Sequence, residues 1–162
     1  MTAPHPTPVL VIGVGNDLRG DDAAGLIVAR TVAGWGRPGV RVVECRQLLP
    51  DLVPEVAAAG RVVFVDAAVG GPPTGNPVPV TAAVGTTPLT HSLSPRGLLG
   101  LTHQLAGRAP PGWVVPVPAG QFDYGAGISA VCRAGIEAAI RQLATILPGR
   151  PATQFVVGNG NF

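Results

Sequence analysis

The sequence is poor in charged residues, cysteine and long apolar runs, and each shortage excludes a class of function. Charged residues make up only 12% of the 162, and the 11 basic ones are scattered, so neither nucleic acid nor a membrane surface is a predicted partner. Two cysteines, Cys45 and Cys132, are too few and too far apart for a disulfide framework or a thiolate metal site, which favours a reducing cytoplasm. No apolar run reaches the about 18 residues that span a bilayer, and the N-terminal residues lack the pattern of a secretory signal.

The apolar pattern predicts one α/β domain over residues 1–162, with flexible tails at 1–7 and 149–162. Strands are predicted at 8–15, 40–45, 61–66, 78–84 and 113–118, and helices at 23–32, 50–59, 94–106 and 129–147. Prolines place the fourth strand near an edge of the sheet. Strands and helices alternate along most of the chain, which favours an open, mostly parallel sheet with helices on both faces.

Polar side chains cluster just beyond the predicted strand ends, where ligands bind in open α/β sheets. Two carboxylates and an imidazole among them would supply the oxygen and nitrogen donors that suit zinc, nickel or a similar divalent ion. Three protein ligands would leave positions free for water or substrate. The polar residues at these strand ends are Asn16, Asp17, Asp21, Asp22, Glu44, Asp66, Thr90, His91 and Ser92.

Each candidate also has a purely structural interpretation. Asp21 and Asp22 precede a helix, where one acid suffices as a cap; we assign Asp21 to the cap and leave Asp22 as a ligand. Asp66 could cap a turn, and His91 could be an exposed loop histidine. The remaining histidines are interpreted as a helix-surface residue, His103, and a terminal residue, His5.

The glycine-rich segment GVGNDLRGDD leaves a nucleotide-binding alternative open. A dinucleotide site needs glycines spaced G-x-G-x-x-G, but four residues separate Gly15 from Gly20. Asp21 and Asp22 would stand where a phosphate approaches the helix, and carboxylates there repel an anion. The segment therefore favours a cation over a nucleotide.

Four segments together resemble the hydrogenase maturation proteases. They are GVGNDLRGDDAAG at 13–25, RVVFVDA at 61–67, THSLSPRGLLGL at 90–101 and FDYGAGIS at 122–129. They occur in the family's order, and the resemblance spans roughly Val9 to Leu147. It implies a three-layer α/β/α sandwich with a five-stranded, mostly parallel sheet.

The resemblance also implies an activity and a site. Members of the family remove a C-terminal extension from the large-subunit precursor of a nickel-iron hydrogenase after the metal centre is inserted. Carried over by position, the metal ligands and catalytic residues are Asp22, Asp66 and His91, although some members have Glu where this chain has Asp22. Nickel would be supplied by the substrate, and zinc or cadmium could occupy the same site in a crystal. Supporting residues are Asn16, Asp21, Gly13, Gly15 and Gly20.

Water is the predicted nucleophile, because the sequence shows no Ser-His-Asp or Cys-His arrangement. The carboxylate that acts as the base is left open between Asp22 and Asp66. Three alternative functions also remain: a nucleotide-binding Rossmann-like module, a nickel-recognition protein without peptidase activity, and a related peptidase with another substrate. The oligomeric state is not predicted.

Overall fold

The computed structural model describes residues 8–71, 73–85 and 92–149. The predicted tails lie outside these residues apart from Gly149, and so do Thr90 and His91. Five strands, four α-helices and two short 3-10 helices, Gly20–Ala23 and Pro50–Leu52, make up the described chain. The strands are β1 Val9–Val14, β2 Val40–Cys45, β3 Arg61–Val69, β4 Val78–Val80 and β5 Gly112–Ala119; the helices are α1 Ala24–Gly34, α2 Val53–Ala58, α3 Pro95–Ala106 and α4 Ala130–Ile146.

The strands form one sheet in the order β2-β1-β3-β5-β4. The first four in this order are mutually parallel, and β4 joins the edge antiparallel to β5. The predicted α/β fold with a five-stranded, mostly parallel sheet is confirmed. The chain moves outward from β1 to β2 and then returns past β1 to β3, so the strand order reverses between β1 and β3. This reversal opens a crevice at the carboxyl ends of those two strands.

Helices cover both faces of the sheet, which gives the three layers. Alternate residues of each buried strand point to opposite faces, so each strand contributes to two apolar cores. One core lies under α1 and α4 and includes Val11, Val28, Val65, Val117, Ile136 and Leu143. The other lies under α2 and α3 and includes Ile12, Val56, Phe64, Leu98 and Leu99.

Two predicted helix starts are confirmed by their hydrogen bonds. The Ser94 hydroxyl accepts a bond of 3.0 Å from the amide of Gly97 at the start of α3. The Ser129 hydroxyl accepts one of 3.3 Å from the amide of Cys132 at the start of α4. Each serine therefore satisfies an amide that the first helical turn leaves unpaired. Among the described residues, no helix is both long and apolar enough to cross a membrane.

Two strand predictions differ from the structure. β3 does not end on Asp66 but continues to Val69, because β5 remains beside it and pairs Asp66 with Pro116 and Val69 with Ala119. β4 is an edge strand as predicted, but it is shorter than 78–84 and pairs only with Gly112–Val114. Pro116 and Pro118 of β5 lie beyond the reach of β4, where a missing amide donor interrupts no ladder on that side.

Candidate active site

The loops after β1 and β2 meet the end of β3 around a pocket of about 380 Å³. Asp22 and Asp66 both line this pocket, so two of the three predicted ligands face one space. We call it the aspartate pocket. Its other lining residues are Val14, Gly15, Arg46, Gln47, Leu48, Ser92, Leu93, Ser94 and Pro95.

Asp22 is held by the backbone of the turn that follows β1. Its carbonyl accepts a hydrogen bond of 3.1 Å from the Asn16 amide, and its own amide donates one of 3.0 Å to the carbonyl of Arg19. The Asp22 carbonyl also packs against Gly15 so closely that a β-carbon there would collide with it. Among the described residues no side chain or amide bonds the half-buried Asp22 carboxylate, which remains available for a ligand.

Asp21 does not cap the helix, and that prediction is wrong. Neither the 3-10 turn nor α1 has a side-chain cap, and the Asp21 carboxylate is fully buried. It accepts hydrogen bonds of 2.9 Å and 3.1 Å from the amides of Gly120 and Gln121, and two of 2.7 Å from the amide and hydroxyl of Ser129. The side chain therefore crosses to the segment between β5 and α4 instead of serving its own helix.

These four bonds stabilise the ionised form of Asp21. Burial alone would raise the pKa of this carboxyl, but the bonds from Gly120, Ser129 and Gln121 outweigh it and lower the pKa below the usual range. Gly20, with a φ of +51°, brings the same turn against the Gln121 carbonyl, where a side chain would be strained. The hydrogen bonds of Asp21 thus fix the turn that carries Asp22.

Asp66 lies within β3, one residue beyond the last pair with β1. Burial raises the pKa of its carboxyl to about 6, the nearby charge of Asp22 acts in the same direction, and the Ala67 amide opposes them. The two carboxylates therefore repel each other across the aspartate pocket. A bound cation would relieve both the burial penalty and the repulsion.

His91 lies outside the described residues, so the third predicted ligand has no position here. The next two residues of the chain, Ser92 and Leu93, line the aspartate pocket, and the Leu93 amide donates a bond of 2.8 Å to the Leu48 carbonyl. Within the described part of the chain, no group of three His, Cys, Asp or Glu side chains could hold a metal ion. Asp22 and Asp66 supply two oxygen donors of the kind that a divalent cation binds, and the ligand role of His91 stays a prediction.

Cys45 lies beside the site, a position that the sequence did not predict. This half-buried thiol ends β2 close enough to Asp66 to feel its charge. Burial first, and then the charges of Asp66 and Asp51, raise the pKa of Cys45 to about 11. A thiol held in its protonated form is a poor nucleophile, so we do not expect Cys45 to supply an attacking group. Its position at the end of β2 was the signal in the sequence that could have placed it near the site.

A second pocket, of about 390 Å³, adjoins the first and contains a closed ion-pair cluster. The Arg30 guanidinium donates two bonds, of 2.9 Å and 2.8 Å, to Asp17 and one of 2.6 Å to Glu44. The hydrogen bond from Arg30 lowers the pKa of the Asp17 carboxyl. We call this space the arginine pocket. Both of its carboxylates already have a cation, in contrast to the pair in the aspartate pocket.

The remaining supporting residues shape the backbone. The Asn16 side chain accepts a bond of 3.0 Å from the Leu18 amide, which stabilises the loop after β1. Gly13 lies in β1, where α1 crosses so closely that a β-carbon would collide with Ala29. The structure thus assigns Asn16 and Gly13 to the support of the loop and helix.

The fold and this site define an open α/β protein with paired carboxylates at the point where the strand order reverses. Solved structures share the architecture across most of the chain. The NiFe hydrogenase maturation protease HycI from Thermococcus kodakarensis is 27% identical, with a TM-score of 0.67 over 87% of this chain and 92% of that one. The fold therefore confirms the resemblance to the hydrogenase maturation proteases.

Two further structures share the fold at lower identity. The hydrogenase maturating endopeptidase HybD from Escherichia coli is 22% identical, with a TM-score of 0.62 over 85% of this chain and 90% of that one. HybD from Thermococcus kodakarensis is 21% identical, with a TM-score of 0.61 over 87% and 99%. No protein-family model and no curated protein matches the sequence.

Proposed function

We propose that this chain is a cytoplasmic endopeptidase that removes the C-terminal extension of a nickel-iron hydrogenase large-subunit precursor. The observation that carries the proposal is the pair Asp22 and Asp66, which share a pocket and have no ion-pair partner among the described residues. Two carboxylates that share a pocket without such a partner provide oxygen ligands for a divalent cation. The hydrogenase maturation proteases among the solved structures support the peptidase assignment.

The metal in this proposal belongs to the substrate. Asp22, Asp66 and His91 would contact nickel carried by the precursor, which positions the scissile bond beside the carboxylates. Bound nickel polarises a carbonyl or lowers the pKa of a water molecule. The chain itself fixes the turn of Asp22 through Asp21 and holds Asp66 in the sheet, so both carboxylates are oriented before the substrate arrives.

Water is the proposed nucleophile. Its oxygen bonds to the scissile carbonyl carbon while Asp22 or Asp66 accepts its proton. The C–N bond then breaks, and the proton passes to the leaving amine. The described cysteines do not compete with water for this role, because burial raises the pKa of both thiols, that of Cys132 to about 12.

The decisive test is incubation of the full chain with a nickel-loaded and a nickel-free precursor, followed by mass spectrometry of the products. We expect release of the extension from the loaded precursor only. His91→Ala should abolish release, whereas His103→Ala on the exposed side of α3 should leave it intact. Full activity of His91→Ala, or equal cleavage of both precursors, would contradict the proposed role of the trio and the metal.

A further inference from the structure

Arg46 lies where the aspartate pocket and the arginine pocket meet. It lines both of them, as Gly15 does, and it follows β2 directly on the carboxyl side of the sheet. The two pockets therefore lie side by side, with Asp22 and Asp66 lining one and Asp17 and Glu44 lining the other. A peptide cleaved at the aspartates would therefore leave one of its two ends along Arg46.

Two arginines line these pockets, and they differ in what they bind. Arg30 is saturated by the bidentate pair with Asp17 and the third bond to Glu44. Arg46 is exposed and makes no hydrogen bond or ion pair with any described residue, even though two carboxylates line the same pocket. If its role were to neutralise those acids, an ion pair with one of them would be expected. Among the described residues its guanidinium has no partner, which is the state expected of a group that binds a ligand.

We propose that Arg46 determines specificity by binding a carboxylate of the extension that is removed. This inference rests on the proposed peptidase function. A guanidinium presents two parallel donors that match a carboxylate, and such charge-assisted pairs are among the stronger hydrogen bonds. The extension is the part of the precursor that ends in an α-carboxylate, and a space of about 390 Å³ admits a short peptide end but not a folded domain.

The carboxylate could come from an acidic side chain or from the chain terminus, and peptide binding separates these sources. The probe is a fluorescently labelled peptide with the extension sequence of the organism's own hydrogenase precursor. It is prepared as the free acid, as the C-terminal amide, and with its acidic side chains replaced by amides. Binding is measured on the full chain as wild type, as Arg46→Gln and as Arg141→Gln, a matched loss of one exposed arginine on α4.

We expect Arg46→Gln to weaken binding of the free acid about tenfold, and Arg141→Gln to leave it unchanged. Either the C-terminal amide or the replacement of the acidic side chains should weaken binding of the peptide to the wild type by a similar factor. The same change in the peptide should not weaken its binding to Arg46→Gln any further. In precursor cleavage, Arg46→Gln should raise KM while kcat stays near the wild-type value. Arg46→Lys should recover part of the loss, because it keeps the charge without the paired donors.

Equal binding of all three peptides by the wild type, or equal affinity in Arg46→Gln, would overturn the inference. The two failures can be told apart. If the wild type cleaves the loaded precursor and Arg46→Gln does so with the same KM, the inference alone is wrong. If the wild type cleaves no precursor, the proposed function fails and the inference falls with it.

Discussion

Two pairs of carboxylates lie on the same edge of the sheet and have opposite surroundings. Asp17 and Glu44 are bound by Arg30, and all three side chains are roughly half exposed. Asp22 and Asp66 share a neighbouring pocket, and neither forms an ion pair with a described residue. The first pair has its cation within the chain, whereas the proposed function supplies the cation of the second pair from the substrate.

The two pairs differ in their effect on the free energy of the folded chain. An exposed ion pair in water adds little to stability, so the cluster around Arg30 serves mainly to neutralise its own acids. Asp22 and Asp66, which form no ion pair with a described residue, raise the free energy of the folded chain, because burial and repulsion disfavour ionised Asp66. Asp21 offsets part of this cost by fixing the turn that carries Asp22.

The largest expected effect separates the two pairs by activity. Asp22→Ala or Asp66→Ala should slow release of the extension by about a thousandfold or more, because in the proposed mechanism each removes a contact to the substrate metal and a candidate base. Asp17→Asn and Glu44→Gln, the matched controls in the arginine pocket, should change the rate by less than about tenfold. Initial rates from mass spectrometry decide, and similar losses in both pairs would contradict the distinction.

The next effect concerns stability. Asp21→Ala should lower the free energy of unfolding by about 3 kcal/mol, because it leaves buried donors of Gly120, Gln121 and Ser129 unpaired. Urea denaturation of the metal-free protein measures this, with Asp17→Ala as an exposed control that should change little.

The pKa of Asp21 is lowered on folding, so the stability that ionised Asp21 contributes is present above the ordinary pKa and is lost as pH falls below it. A stable Asp21→Ala protein would show that the loop is held by other contacts.

The sequence predicted much of the fold because its strongest signals are local. Val40–Cys45 and the start of α3 at Ser94 were predicted as observed, since a valine-rich run and a Ser-Pro pair are recognised without long-range information. The end of β3 was missed, because its last residues are kept in the strand by β5. Strand length in this case depends on a partner about fifty residues away, which no local pattern encodes.

The sequence predicted that Asp22 and Asp66 meet, but it did not predict what Asp21 contacts. Residues at strand ends of a parallel sheet converge, so the meeting of Asp22 and Asp66 follows from topology. Asp21 was assigned to a helix cap because that is the nearest structural use of an acid. Its partners are Gly120, Gln121 and Ser129, about a hundred residues later in the chain. The metal-ligand roles of Asp22, Asp66 and His91 remain predictions.

A smaller effect, a gain in the stability of the metal-free protein, is expected when Asp66 is replaced by Asn. The folded pKa of Asp66, about 6, lies above its ordinary value, so its stabilising contribution is complete below the ordinary value and disappears as pH rises through about 6. Asp66→Asn should therefore raise the free energy of unfolding by about 1 to 2 kcal/mol at neutral pH, and by less near pH 4. Urea denaturation after chelation at both pH values measures this. A gain that is independent of pH would show that ionisation of Asp66 is not its cause.

The smallest effect tests whether the cluster around Arg30 is as weak as its exposure implies. Arg30→Gln removes the cation shared by Asp17 and Glu44, so the arginine pocket then holds two uncompensated acids like its neighbour. Both acids are about half exposed, and water can solvate them, so the denaturation midpoint should hardly move and high salt should remove any remaining difference. A large loss that persists at high salt would mean that exposure does not set the energy of these pairs. The lack of an ion pair between Asp22 or Asp66 and any described residue would then no longer distinguish the two sites energetically, and only the rates of extension release would separate them.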